Sequence, residues 1–288
     1  MLNRIKFAAI AAAVLCSMAS LHAEILIKNG DRVAFLGDSI TNFGNRPYGY
    51  VQLVMDGLKR NGINATAIPA GISGHKSNDM LKRLDRDVIK KKATVMLLSC
   101  GVNDVGHGKR GVELPDYKKN ITAILDQAKA AGIRVVILTP PLCGEQHPDS
   151  ANNKKLKLYC DFLQQIAAER KIPVADLYTK MYKIASKLKH IKGNKLTIDN
   201  LHMNGYGNQM MAEGVLETLG VPAAKIQEYK KDWNKLPSMA PILNHAHNPK
   251  YLISIEEYEV LRKKAAEKKM NVEKFVWTIL KNELKKVK

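Results

Sequence analysis

The sequence predicts a three-layer α/β/α sandwich with a central parallel sheet of about five strands, followed by a C-terminal helical extension. Short apolar runs alternate with longer helical patterns between residues 30 and 220, and Gly62 and Gly132 follow two of these patterns, where helix C-caps are common. The apolar runs lack the alternation of half-exposed strands, as expected for strands covered on both faces. Repeated strand–helix–strand order implies right-handed crossovers with helices on both faces of the sheet.

The first segment is typical of a secretory signal peptide. Arg4 and Lys6 precede an apolar run over residues 7–18, and small residues follow up to Ala23, so we expect a signal over residues 1–23. Cleavage after Ala19 and an uncleaved signal anchor are the alternatives. The run is shorter than the ~20 residues of a membrane span, and no later segment comes close. We therefore expect a secreted or periplasmic protein without a transmembrane segment.

A single catalytic domain is expected over residues 24–220, and its elements can be assigned in order. The β-branched and Leu-rich runs predict strands at residues 32–36, 63–68, 94–99, 133–138 and 172–175. Helical patterns predict helices at residues 48–60, 77–89, 117–130, 152–169 and 204–219.

Beyond the domain, the composition changes twice. Four prolines indicate an extended strap over residues 221–252, namely Pro222, Pro237, Pro241 and Pro249. Ser254 and Glu257 then form a capping box ahead of a helix, and an apolar stripe predicts a second helix from about residue 271. We expect a helical hairpin over residues 253–288 that packs on its own chain, with a dimer contact or another partner as alternatives. The oligomeric state stays open.

The chain is strongly basic, with 46 Lys and Arg against 27 Asp and Glu, for a net charge of +19. Removing the signal with Arg4 and Lys6 would lower this to +17. The surplus is spread along the chain, and no basic cluster with stacking aromatic residues is present, so a nucleic-acid partner is not expected. A spread positive field fits acidic glycans or anionic surfaces, and equally an ordinary lysine-rich surface.

Three cysteines remain after the signal, Cys100, Cys143 and Cys160, so at least one thiol stays unpaired. Whether any two form a disulfide is open, because spacing alone does not show it. None has metal-site spacing, and the pair His245 and His247 lacks further ligands, so no metal or cofactor is expected.

Four short motifs stand where the chemistry of such a sheet is expected. Ligands bind at the carboxyl ends of parallel strands, and three predicted strands are followed by Gly37-Asp38-Ser39-Ile40, by Gly71-Ile72-Ser73-Gly74 and by Gly101-Val102-Asn103-Asp104. The fourth, Asp199-Asn200-Leu201-His202, precedes the last helix. Each alone could be an ordinary turn or helix cap. Their occurrence together, in this order and at these places, is specific.

With these motifs, residues 30–220 resemble the SGNH hydrolases, also called the GDSL esterase/lipase superfamily. The resemblance implies a flavodoxin-like SGNH fold, with Ser39 as nucleophile and Asp199 and His202 as its partners. It also implies an oxyanion hole formed by Ser39, Gly74 and Asn103, with Gly71 as the less favoured glycine. The chain departs from the family at Pro69 and Ile40, neither of which is a catalytic position.

Acyl-transfer chemistry explains these residue types. A serine hydroxyl needs a base within hydrogen-bond reach, which His202 would supply, and Asp199 would orient the imidazole from the same loop. Asp38 and Asp104 would hold loops by accepting backbone N–H groups. With Gly71 and His75, they are also possible pocket residues.

The resemblance to exported family members indicates a secreted serine esterase that removes small acyl groups, chiefly acetyl, from carbohydrates. The expected partner is an acylated small molecule or glycan. The alternatives are a lipase, lysophospholipase or thioesterase of the same superfamily and, in another class, a non-catalytic glycan-binding module. The complete set of motifs argues against the module, because binding alone does not need a triad.

Overall fold

The computed structural model describes residues 25–189, 193–236 and 253–286. The expected signal peptide, most of the expected strap and the pair His245 and His247 lie outside these residues. Within the described ranges, every helix is too short or too polar to cross a membrane.

A parallel five-stranded sheet forms the centre of the fold, as predicted. Its strands are β1 (Arg32–Gly37), β2 (Thr66–Gly71), β3 (Val95–Ser99), β4 (Arg134–Leu138) and β5 (Val174–Ala175), in the order β2-β1-β3-β4-β5. Every residue of β3 is buried, because helices cover both faces of the sheet. The strand order reverses between β1 and β3, where ligand sites form in such sheets.

The described residues contain eleven α-helices. These are α1 (Ser39–Gly44), α2 (Tyr50–Arg60), α3 (Ser77–Leu84), α4 (Val102–Gly106), α5 (Leu114–Ala130), α6 (Ala151–Arg170), α7 (Leu177–Lys187), α8 (Gly205–Thr218), α9 (Ala223–Trp233), α10 (Ile255–Glu267) and α11 (Val272–Lys286). The expected helix over residues 77–89 is divided, because α3 continues as a π-helical turn over Asp85–Ile89.

Strand β2 lies three residues later than the sequence indicates. The expected strand ended before Pro69, but Pro69 lies within β2 and pairs with Phe35. Because β2 is an edge strand, the missing N–H of proline can be tolerated there. The strand therefore continues to Gly71, which pairs with Gly37 of β1.

The expectation of an extended strap from residue 221 is wrong for residues 223–233, which form α9. Pro222 is the N-cap of this helix, and a proline at a helix start removes no intrahelical hydrogen bond. Ile226, Tyr229 and Trp233 are buried at helical spacing, and the Trp233 indole donates to Asp56 at 2.8 Å. The prolines after Trp233 lie outside the described residues.

The two C-terminal helices differ in how they pack. The capping box of α10 is confirmed, since Ser254 Oγ accepts from Glu257 N–H at 3.1 Å and the Glu257 carboxylate accepts from Ser254 N–H at 2.7 Å. Ile255, Tyr258 and Ala265 of α10 are buried. By contrast, α11 has no buried residue, and Trp277 and Leu284 are 47% and 62% exposed. Packing on the chain itself is therefore seen for α10, whereas the apolar stripe of α11 is half-buried at Val272, Phe275 and Val276 and exposed at Ile279, Leu280 and Leu284.

Cys100, Cys143 and Cys160 are all free thiols, so no disulfide joins them. Burial raises the pKa of the Cys143 thiol, and burial with the nearby Asp104 and Asp38 carboxylates raises that of Cys100. Thiols held in this protonated form act as packing groups.

Candidate active site

Ser39 lies at the junction of β1 and α1, where the chain turns sharply. The strand ends at Gly37, Asp38 caps the helix by accepting from Ile40 N–H at 2.9 Å, and Ser39 is the first helical residue. A Cβ at Gly71 would overlap the backbone nitrogen of Asn42. Only a glycine at position 71 therefore lets α1 pack this closely against the end of β2. This close packing holds the Ser39 hydroxyl at the carboxyl edge of the sheet.

His202 and Asp199 lie far from Ser39 in the sequence but close to it in the structure. His202 Nε2 lies 2.9 Å from Ser39 Oγ, although the two residues are 163 positions apart. On the other side of the ring, His202 Nδ1 lies 2.6 Å from Asp199 Oδ2. The three side chains thus form one continuous hydrogen-bonded chain, with the geometry of a nucleophile, a base and an orienting carboxylate.

The Asp199 carboxylate is held in its ionised form. Partial burial alone would raise its pKa, but hydrogen bonds from the His202 ring and from the His202 and Leu201 backbone lower it below the usual value. The backbone N–H groups of Leu201 and His202 donate to Asp199 Oδ1 at 3.0 and 2.7 Å, while Oδ2 faces the imidazole. One oxygen therefore fixes the loop and the other orients the base.

Glu145, on the loop after β4, anchors the segment that leads to Asp199. Its buried carboxylate accepts from the backbone N–H groups of Lys195, Leu196 and Thr197 at 2.8 to 3.2 Å. The Thr197 hydroxyl donates to the same carboxylate at 2.6 Å. These hydrogen bonds anchor the segment directly before the loop that carries Asp199 and His202.

Asn200, between Asp199 and His202, attaches the same loop a second time to the loop after β4. Its backbone is left-handed, with φ +74°, a conformation that asparagine tolerates better than most residues. The carbonyl and the side-chain oxygen of Asn200 accept from the backbone N–H groups of Glu145 and Gln146 at 3.2 and 2.9 Å. Residues 145 and 146 therefore fix both the approach to this loop and its tip.

A hydrogen bond joins the loop after β2, which carries Gly74, to the start of α4, which carries Asn103. Asn103 Nδ2 donates to the backbone carbonyl of His75 at 3.0 Å, which leaves one amide proton for another acceptor. Gly74 has φ +78°, and a Cβ there would meet nothing in the protein, so the backbone conformation is what favours glycine. Gly71 instead lies in β2 beneath α1, which makes Gly74 the better candidate for the oxyanion hole.

Asp38 and Asp104, two of the expected pocket residues, are both buried and bind backbone groups. Asp104 accepts from the N–H and hydroxyl groups of Ser77 at 3.0 and 2.6 Å, and thereby connects α4 to the start of α3. Burial raises the pKa of Asp104, and raises that of Asp38 to about 7. Their structural role is consistent with the contacts, whereas a place in an open pocket is not, because neither carboxyl reaches solvent.

Phe43 is a site neighbour that the motifs do not identify. Its ring lies 4.6 Å from the His202 ring, centroid to centroid, and the Arg46 guanidinium lies 4.0 Å from the centre of the Phe43 ring. The available signal is helical spacing, because Phe43 follows Ser39 by four residues on α1 and so shares its face. Within the described ranges, no group of three or more His, Cys, Asp or Glu side chains is placed to hold a metal ion.

Comparison with known proteins agrees with this arrangement. Residues 35–210 match the GDSL-like lipase/acylhydrolase family, which is more than half of the chain. The chain belongs to this family. Its relatives include several named esterases, and the protein is a carboxylic ester hydrolase.

Two curated relatives illustrate the range of the family. An acetylxylan esterase of Geobacillus stearothermophilus is 24% identical over 67% of this chain and 96% of that protein. The isoamyl acetate-hydrolyzing esterase of Saccharomyces cerevisiae is 24% identical over 70% of this chain and 94% of that protein.

Solved structures show the same fold. The acetyl xylan esterase AlAXEase is 29% identical with a TM-score of 0.60, covering 65% of this chain and 98% of that chain. The acetylxylan esterase Axe2 from Geobacillus stearothermophilus, solved as a catalytic mutant, has a TM-score of 0.62 at 23% identity, over 69% of this chain and 98% of that chain.

The buried Asp38 predicts a stability that depends on pH. Burial, with a smaller effect of the Asp104 carboxylate, raises its pKa to about 7, while the Ile40 N–H opposes this shift. Because the folded-state pKa exceeds the ordinary value of 3.8, the contribution of Asp38 to stability is fully present below about pH 4 and is lost as the pH rises through 7. Asp38→Asn keeps an oxygen for Ile40 and cannot ionise. We therefore expect the change in the free energy of unfolding caused by this substitution to be more stabilising at pH 8.5 than at pH 5, by about 1 to 4 kcal/mol.

Urea unfolding of both proteins at the two pH values measures this difference. Asp116→Asn is the matched control, since the Asp116 side chain is exposed, and its effect should be the same at both pH values. An effect of Asp38→Asn that did not change with pH would contradict the assignment.

Proposed function

We propose that the protein is a secreted serine esterase that hydrolyses small acyl esters, chiefly acetyl esters of carbohydrates, through an acyl-enzyme on Ser39. The single observation that carries the mechanism is the hydrogen-bonded chain from Asp199 through His202 to Ser39. A serine hydroxyl with no base beside it would be a poor nucleophile at neutral pH.

In the first step, His202 Nε2 removes the proton of Ser39 as Oγ attacks the ester carbonyl carbon. The imidazole becomes positively charged, and the Asp199 carboxylate stabilises that charge through Nδ1–H. The low pKa of Asp199 keeps this carboxylate ionised throughout. The carbonyl oxygen gains the negative charge of the tetrahedral intermediate.

Three hydrogen-bond donors are proposed to stabilise that negative charge. Ser39 is the first residue of α1, so its backbone N–H has no partner within the helix. The Gly74 N–H and the second amide proton of Asn103 complete the proposed oxyanion hole. Each donor of this kind lowers the barrier by about 2.7 to 4 kcal/mol, because it is already oriented when the charge develops.

Collapse of the intermediate breaks the bond to the alcohol and completes the first half-reaction. His202 returns its proton to the leaving oxygen, so the sugar hydroxyl is released and the acyl group remains on Ser39. Water then enters, His202 takes one of its protons, and the hydroxide oxygen attacks the acyl carbon. The second collapse frees the carboxylic acid and restores the Ser39 hydroxyl.

The choice of acetyl groups and carbohydrates is supported by the relatives. Two of the similar proteins are named acetylxylan esterases and another is named for isoamyl acetate, so acetyl is common to all three. In the Geobacillus enzyme, catalytic mutants replace a serine, an aspartate or a histidine, the last two three positions apart. Asp199 and His202 have the same spacing.

Export is supported by residues 1–23, whose charged, apolar and small-residue regions are typical of a cleaved signal. An exported enzyme would meet polymeric, acetylated glycans outside the cytoplasm. The charge of +17 that remains after cleavage would favour acidic polymers by long-range attraction, which is weakened by salt.

Ser39→Ala should lower kcat on p-nitrophenyl acetate by about 10⁴ or more, and adding His202→Ala should cost little further, because the two residues act as one unit. Ser254→Ala, which removes a helix cap in the C-terminal hairpin, should leave kcat unchanged. Initial rates and circular dichroism spectra of the four proteins provide the measurement. Full activity of folded Ser39→Ala would exclude Ser39 as the nucleophile.

Acyl specificity gives a second test of the proposal. We expect kcat/KM to fall by about tenfold or more from p-nitrophenyl acetate to the octanoate ester, and acetate to be released from acetylated glycans. Acetylated xylan, acetylated pectin and acetylated sialic acids should be compared at low and high salt. A preference for octanoate would indicate a lipase, and glycan binding without acetate release would indicate a binding module.

A further inference from the structure

Arg83 is a charged residue buried beneath the proposed oxyanion loops. It lies near the end of α3 with its side chain only 4% exposed. Burial of a guanidinium is costly unless its donors are satisfied. The Arg83 guanidinium has four hydrogen-bond acceptors. Three of them lie on the segments that carry the candidate site.

The first two acceptors are backbone carbonyls at the ends of neighbouring strands. Nη2 donates to Gly37 O at 2.8 Å, two residues before Ser39. Nη1 donates to Ala70 O at 2.8 Å, near the end of β2. One planar group therefore fixes the distance between the loop that carries the proposed nucleophile and the loop that carries Gly74.

The third acceptor extends this hold to Asn103. Arg83 Nε donates to His75 Nδ1 at 3.1 Å, and the carbonyl of the same His75 accepts from Asn103 Nδ2 at 3.0 Å. Burial and the adjacent guanidinium lower the pKa of His75, so its ring is neutral at neutral pH and has a lone pair to offer. Arg83 thus contacts or indirectly supports the segments of all three proposed oxyanion donors.

The fourth acceptor balances the charge. Arg83 Nη1 lies 2.9 Å from Asp87 Oδ2, in the π-helical turn, and Arg86 also binds this carboxylate. Replacing a buried ion pair by apolar side chains is often neutral or stabilising. The contribution of the ion pair to stability therefore does not explain why an arginine is found here. The positions of its three other acceptors do explain it.

We propose that Arg83 is a positioning residue for the oxyanion hole, which it holds in shape by binding Gly37 O, Ala70 O and His75 Nδ1 at once. This inference rests on the proposed function. A lysine could keep the charge, but its single ammonium lacks the planar fork that reaches acceptors in fixed directions. The loops would then relax, and small displacements of donors have large effects on the rate.

Arg83→Lys should lower kcat on p-nitrophenyl acetate by about 10- to 100-fold with KM changed less than about threefold, because the oxyanion exists only after attack. Arg134→Lys is the control at an arginine whose side chain is half-exposed. Arg134 likewise binds a carboxylate, Asp31, and a backbone carbonyl, Leu26 O, but does so from the start of β4, at the opposite edge of the sheet. Its substitution should lower the melting temperature and leave kcat within twofold.

A second pair of variants removes no buried charge and tests the same contact. His75→Leu cannot accept from Arg83 Nε, whereas His75→Gln can through its side-chain oxygen. We expect kcat to fall by about tenfold in the leucine variant and to be largely restored in the glutamine variant, with similar melting temperatures.

The inference is overturned if folded Arg83→Lys keeps kcat within twofold of the parent, or if its kcat falls only in proportion to the folded fraction. If Arg83→Lys does not fold, equal kcat values for the two His75 variants overturn it. Ser39→Ala, assayed alongside, separates the two claims. Activity retained in Ser39→Ala rejects the proposed function itself, whereas its loss together with an unaffected Arg83→Lys rejects only the role of Arg83.

Discussion

The hydrogen bond between Ser39 Oγ and His202 Nε2 is the contact on which the candidate site depends. It joins residues 163 positions apart, so neither local sequence nor a flexible loop could maintain it. The carboxyl edge of the parallel sheet brings the two segments together, and each has its own rigid support. Asp38 caps the helix that begins at Ser39, and Glu145 holds the segment leading to His202.

Buried ionisable side chains are concentrated around this edge, and each of them binds backbone groups. Arg83 holds strand ends, Glu145 holds three consecutive N–H groups, and Asp38 and Asp104 hold the starts of helices. Each such group costs desolvation energy that an apolar side chain would avoid. The benefit is a set of donors and acceptors already in place before the substrate arrives, which is the condition for electrostatic stabilisation of a transition state.

The alternation of apolar runs with helical patterns predicted the sheet and the order of its elements. The motifs predicted which residues would lie together, because strand ends in a parallel sheet converge. The roles of Arg83 and Glu145 could not be predicted, since their partners lie elsewhere in the chain and no spacing connects them. The element boundaries near Pro69 and Pro222 were predicted wrongly, because an edge strand and a helix N-terminus both tolerate proline. The apolar stripe of α11 correctly predicts a helix, but its periodicity does not say how much of that face is covered.

Mapping a mechanism-based label tests the central claim most directly. Paraoxon should transfer one diethylphosphoryl group to Ser39 with release of p-nitrophenol, because an activated serine next to an oxyanion hole attacks phosphorus as it attacks an ester. Peptide mass spectrometry should place a single label on Ser39 in the parent protein, and none in His202→Ala over the same time. A stoichiometric label on another residue, or equal labelling of Ser39 without His202, would contradict the account.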